Sequence, residues 1–129
     1  MSKEEILTKF SIHSRQEKNL QKYIDSIIKY NLHTNLVGKS TLEDPWSKHI
    51  LDSLQLISFI KNKSHSILDM GTGAGLPGVV LSIVGYKYIS LVDSNGKKIK
   101  FLKRVKDDLG LDLNIILGRL EKIHNLKFD

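Results

Sequence analysis

Apolar side chains recur at helical spacing through the first half of the chain and gather into short β-rich runs in the second. Residues 1 to about 62 read as helices. Ile6, Leu7 and Phe10 predict a short amphipathic helix. Leu20, Tyr23, Ile24, Ile27 and Ile28 predict a second one over about 15–31. The polar stretch Asn31 to Ser40, which contains Gly38, predicts a loop. A third helix is expected from Pro45, because proline suits a first helical turn and Asp44 can cap it. Its apolar positions are Trp46, Ile50, Leu54, Ile57 and Ile60, and Asn62 to Ser66 form a linker.

From about residue 66 the pattern alternates between strand and helix. Ile67 and Leu68 read as a buried strand ending in Asp69. A helix opens at Leu76-Pro77-Gly78, runs to about Val84 and closes at Gly85. A second strand spans about Tyr88 to Val92 and ends at Asp93. Ser94 is the expected cap of the next helix, whose core stripe is Ile99, Leu102, Val105 and Leu109 and whose stop is Gly110. A third strand is expected near Leu113 to Leu117. This β-α-β-α-β order implies parallel pairing with right-handed crossovers.

The segment Asp69-Met70-Gly71-Thr72-Gly73-Ala74-Gly75-Leu76-Pro77-Gly78 carries the chemistry. Its four glycines within eight residues, set between a strand and a helix, predict a sharp turn whose backbone a ligand can approach closely. Gly73, Gly75 and Gly78 match the dinucleotide pattern GxGxxG, but such sites place an anionic pyrophosphate at the helix N-terminus. Asp69, directly before the loop, would repel that group. It would attract an ammonium or a sulfonium, and S-adenosylmethionine has both. Opposite charges about 4 Å apart at intermediate dielectric are worth a few kcal/mol, so the sign of this interaction favours the methyl donor over a nicotinamide cofactor. Asp93 ends the second strand 18 residues after Gly75, near the spacing at which an acid receives ribose hydroxyls. It can also cap the following helix, and the two roles are compatible.

Composition narrows the function classes. At 40% apolar and 26% charged residues, the 129-residue chain is suited to one folded domain rather than to disorder. Its longest apolar runs are too short for a bilayer, and the acidic start Met1-Ser2-Lys3-Glu4-Glu5 does not read as an export signal, so a cytoplasmic location is expected. The chain has no cysteine, which excludes a thiol nucleophile and a cysteine zinc site, and its five histidines form no HxH or HxxxH pair. Neither a metal nor a membrane partner is expected. The formal charge of +6 favours a polyanionic partner such as RNA. Lys97, Lys100 and Arg104 lie opposite the core stripe of their helix; taken alone they read as a solvated face, partly paired through Arg104–Asp108 and Lys103–Asp107.

The chain resembles the small-subunit ribosomal RNA methyltransferase G family, also called glucose-inhibited division protein B. The segments that carry the resemblance run in order from about 35 to 121: Asn35-Leu36, His49-Ile50-Leu51-Asp52-Ser53, Asp69 to Gly78, Leu91-Val92-Asp93-Ser94 with Gly96-Lys97-Lys98, Phe101-Leu102, and Gly118-Arg119-Leu120-Glu121. The resemblance implies S-adenosylmethionine-dependent methylation of N7 of a guanine in 16S ribosomal RNA, with that RNA or the small ribosomal subunit as partner. It implies a Rossmann-like class I methyltransferase fold, α/β, here cut after the third strand and preceded by a helical extension. The expected division is residues 1–62 and 63–129. By the same resemblance Gly71 and Leu76 line the cofactor pocket, and Leu120 and Glu121 bracket the adenine. Guanine N7 already has an in-plane lone pair, so no catalytic acid or base is expected. Alignment alone can contribute roughly 7–11 kcal/mol. His49 and Asp52, three apart on one helical face, read as a structural pair.

Two departures stand out. Asn95 replaces the family's usual apolar residue between Ser94 and Gly96, and the family's downstream segment, with a further active-site arginine, is not in the sequence. With the first strand left as an open edge, a fragment of this kind is expected to be poorly stable and weakly active by itself, and the complete protein to be monomeric. The competing readings are an NAD-dependent oxidoreductase and an inactive RNA-binding fragment.

Overall fold

The computed structural model describes residues 1–118. Helix α1 (Lys3–Lys9) starts at a reciprocal cap. Ser2 Oγ accepts from the Glu5 amide, and the Glu5 carboxylate accepts from the Ser2 amide. Helix α2 (Ser14–Asn31) buries Leu20, Tyr23, Ile24 and Ile27. Ile28, expected on the same stripe, is instead 43% exposed, because one further residue turns it about 100° off that face. The polar stretch after α2 folds back on the helix end: Asn31 Oδ1 accepts from the amides of Leu36 and Val37 at 2.9 and 3.1 Å. It is shorter than expected, since a 3-10 turn already begins at Lys39 (Lys39–Glu43).

The helix expected from Pro45 is present but irregular. A π-helical turn (Trp46–Leu51) leads into a short α-helix, α3 (Asp52–Leu54), and then a 3-10 turn (Gln55–Ser58). Asp44 caps it only at long range, its Oδ1 lying 3.4 Å from the Ser47 amide. The Ser53 hydroxyl donates to the His49 carbonyl at 2.9 Å, a back-bond that competes with regular helical pairing and bends a helix. Trp46, Ile50 and Leu54 are buried as the stripe requires.

Three parallel strands follow in the order β1 (Ser66–Met70), β2 (Tyr88–Asp93), β3 (Leu113–Leu117). Helix α4 (Gly78–Ile83) crosses from β1 to β2, and α5 (Gly96–Leu109) from β2 to β3. Right-handed crossovers that step in one direction put both helices on one face of the sheet, where α2 packs against both. Among the described residues β1 is an edge strand, as expected from the strand order.

The cap of α5 is a correction. Asn95, not Ser94, receives the first helical amides: its Oδ1 accepts from Lys97 at 2.9 Å and Lys98 at 3.2 Å. Asp93 causes the shift, because its carboxylate takes the Asn95 amide and turns the chain one residue further before the helix begins. The residue that departs from the family pattern thus has a local function. Gly110, at φ +63°, ends α5 as expected. Ile99, Leu102, Val105 and Leu109 are buried, and so is Phe101, whose ring meets Tyr30 edge-on at 5.2 Å. Side chains from the helical zone and the sheet zone enter one apolar core, from Ile6 to Leu113. No helix among the described residues is long and apolar enough to cross a membrane.

Candidate functional site

The glycine loop sits at the C-terminal ends of β1 and β2, the position at which open parallel sheets receive ligands. Met70 lies opposite Val92, so the loop leaves β1 level with the last residue of β2. It then reaches across. The Thr72 amide donates to the Val92 carbonyl at 3.1 Å, and the Gly73 amide donates to Asp93 Oδ2 at 2.8 Å. The other oxygen, Asp93 Oδ1, accepts from the Asn95 amide at 2.9 Å. Asp93 is buried and fastens the loop to the end of β2.

Asp69 closes the loop from the other side. Its Oδ2 accepts from the Thr72 hydroxyl at 2.8 Å and from the Gly78 amide at 2.9 Å, so one oxygen joins the strand end, the middle of the loop and the head of α4. Burial pushes this carboxyl above the ordinary aspartate range. The Thr72 and Gly78 bonds pull it back, and the nearby charge of Asp93 adds to the rise.

The four glycines divide into two pairs. A Cβ on Gly71 (φ +63°) or Gly73 (φ +58°) would meet nothing within 4 Å. Their backbone faces open space, in a conformation that favours glycine. A Cβ on Gly75 (φ +94°) would fall 2.5 Å from Val79 Cγ2 and 2.8 Å from Leu102 Cδ2, and one on Gly78 would run into Leu91 and Asp69. The first pair leaves room for a ligand; the second lets α4 and α5 pack closely.

The profile of the family described as rRNA small subunit methyltransferase G matches residues 16–129. The chain belongs to that family. It is 37% identical over 129 residues to a ribosomal RNA small subunit methyltransferase G of Paramagnetospirillum magneticum, covering all of this chain and 63% of the relative. It is 44% identical over 95 residues to the protein of that name from Rickettsia rickettsii (strain Sheila Smith), covering 74% of this chain and 50% of the relative. With the Orientia tsutsugamushi (strain Ikeda) protein of the same name it shares 40% over 111 residues, 85% of this chain and 56% of the relative. The chain spans between half and just under two thirds of the length of these relatives.

Of the candidate cofactor residues read from the sequence and from the family resemblance, Asp69, Gly71, Gly73, Gly75, Leu76 and Asp93 come together around one loop. Leu120 and Glu121 lie outside the described residues. His49 and Asp52 do not bond each other. His49 Nε2 lies 2.7 Å from Thr41 Oγ1, and burial pushes the imidazole below its ordinary range against the opposing charge of Asp52. Lys97, Lys100 and Arg104 are exposed. Arg104 pairs with Asp108 at 3.6 Å with both side chains more than half exposed, a contact worth little. No ion pair joins Lys103 to Asp107 among the described residues.

Tyr23 was legible only as a core position, yet its hydroxyl donates to the Ala74 carbonyl at 2.6 Å from a fully buried side chain. Burial, with the Asp69 charge adding to it, pushes the phenol well above its ordinary range, which keeps the donated proton in place. The helical zone thereby holds the glycine loop directly. Tyr23→Phe is expected to cost about 1–2 kcal/mol, since the buried carbonyl loses its partner. Urea unfolding checks the loss, and faster hydrogen exchange at the Gly75 amide, which bonds the Thr72 carbonyl at 2.9 Å, locates it.

Proposed function

We propose that the loop at 69–78 and the carboxylates of Asp69 and Asp93 bind S-adenosylmethionine, and that the protein methylates N7 of a guanine in 16S ribosomal RNA. The observation that carries this is the bond from the Gly78 amide to Asp69 Oδ2. The amide at the head of α4 is the donor a dinucleotide pyrophosphate would use. Here it is already taken by a carboxylate, which would also repel that anion. The same feature counts against the oxidoreductase reading despite the GxGxxG spacing.

The residues fit the methyl donor. Gly71 and Gly73 leave open backbone for close approach. A carboxylate offers about four acceptor sites, so Asp93, with one backbone bond on each oxygen, keeps capacity for two ribose hydroxyls. Asp69, with both its bonds on Oδ2, has Oδ1 left to attract a cationic group. Gly75 supports the loop by packing, and Leu76 is the apolar residue placed to line the pocket. Leu120 and Glu121 complete the proposed set by family resemblance.

The bound cofactor supplies an electrophilic methyl group on a sulfonium. This chain's residues hold and orient it, and the guanine ring brings its own lone pair. No residue of the chain has to remove a proton for N7 to attack. Incubation with a labelled methyl donor and small ribosomal subunits tests this. The identity of the product decides, not its yield: label recovered as 7-methylguanine in 16S RNA is expected, and label on another base or another ring atom would contradict it.

A further inference from the structure

We infer that the cleft between residues 52–59 and the glycine loop seats the target guanine, turned out of its stack and held by its Watson–Crick edge; this rests on the methyltransferase reading above. The cleft has a volume of about 330 Å³ and is lined by Asp52, Gln55, Leu56 and Phe59 on one side and by Leu76 and Pro77 on the other. That is the low end of the range for small-molecule sites, roughly 300–1,000 Å³, and suits a single base better than a whole nucleoside cofactor. Leu76 and Pro77 belong to the glycine loop, so an occupant of the cleft lies against whatever that loop holds. Enzymes that act on a base draw it into such a pocket beside the reacting group.

The lining carries the chemistry that recognises guanine. Phe59 is 84% exposed, a large apolar ring left in water at the lip of the cleft. Aromatic rings in that position provide stacking faces for unstacked bases. Asp52 is exposed, and its carboxylate makes no hydrogen bond or ion pair with any described residue, because the His49 ring bonds Thr41 instead. An ionised carboxylate only accepts, and guanine presents two adjacent donors, N1–H and the N2 amino group. Adenine has no such pair. The Gln55 amide adds a donor suited to the O6 carbonyl. A base held by these three atoms turns its opposite edge, with N7, away from Asp52. The π-helical turn Trp46–Leu51 ends immediately before Asp52, and π-turns are frequent at functional sites.

Chemical-shift titration of the protein with guanosine monophosphate and with adenosine monophosphate tests the inference, each with and without S-adenosylhomocysteine. Millimolar guanosine monophosphate is expected to move the Phe59 ring and the Asp52 and Leu76 amides, and adenosine monophosphate to bind roughly 10-fold more weakly. Asp52→Asn is expected to lose that preference, and Phe59→Ala to weaken both nucleotides by roughly 10-fold. Both residues are exposed, so both variants are expected to keep the fold and the loop shifts that S-adenosylhomocysteine produces. Equal binding of the two nucleotides, shifts that fall elsewhere or are absent, or an Asp52→Asn variant with unchanged guanine preference would overturn the inference. Loss of the S-adenosylhomocysteine shifts alone would count against the cofactor site and leave the nucleotide result to judge the cleft.

Discussion

Gly75→Ala is expected to remove about 3–5 kcal/mol of stability, whereas Gly73→Ala keeps the fold and loses the ligand. The difference follows from what each new methyl group meets. At Gly75 it would enter the space of Val79 and Leu102, in a backbone conformation at φ +94° that alanine resists. Overpacking of this kind costs about 1–3 kcal/mol, and the backbone strain adds a similar amount. Against a total stability of about 5–15 kcal/mol, that is a loss of at least about one fifth of it. At Gly73 the methyl group meets nothing within 4 Å, so only the strain of φ +58° remains, about 1–2 kcal/mol. It would stand on the open backbone where the cofactor is proposed to lie. Urea unfolding of the two variants, followed by ligand titration of the folded one, checks both halves of this expectation. Equal stability losses would show that the two glycines do not differ in role.

Asp69→Asn is expected to separate binding from stability. Burial raises the Asp69 carboxyl above its unfolded range, so the ionised form is disfavoured by folding. The sign is that of any carboxyl with a raised folded pKa. Its contribution is fully present below the unfolded value, near 3.8, and is lost as pH rises through the folded value. At neutral pH the protein therefore carries a cost that asparagine removes, while the amide oxygen still accepts from Thr72 and Gly78. The variant is expected to be as stable as the parent or more so at pH 7, with any advantage shrinking as the solution is acidified toward pH 4. Its affinity for S-adenosylmethionine is expected to fall by about 2 kcal/mol, roughly 30-fold, because a charged acceptor is lost. Thermal unfolding at the two pH values and a ligand titration check this. A variant that loses stability and binding in step would make Asp69 a structural residue only.

Most of the sheet and its loop could be read from the chain because local signals agreed with the fold. Short apolar runs ended in acids at Asp69 and Asp93, and Gly85 and Gly110 stopped their helices where the structure ends them. The errors arose where a short-range side-chain bond outweighed the preference expected from residue type or spacing. Ser94 is a sound cap by residue type, but Asp93 holds the Asn95 amide and moves the helix start. Regular spacing over Trp46 to Ile60 predicted one helix, and the Ser53 back-bond to His49 is invisible to periodicity. Within the site, the Asp69–Thr72 spacing was a usable signal for the bond between them. The grip of Tyr23 on Ala74 spans 51 residues of sequence and left no trace in the pattern. The same is true of the cleft that brings Asp52 and Phe59 to Leu76.

Calorimetric titration of the protein with S-adenosylhomocysteine and, separately, with NAD decides what the glycine loop holds. A carboxylate at the head of α4 predicts one site for S-adenosylhomocysteine, weakened in Asp69→Asn, and no binding of NAD. Binding of NAD with none of S-adenosylhomocysteine would contradict it.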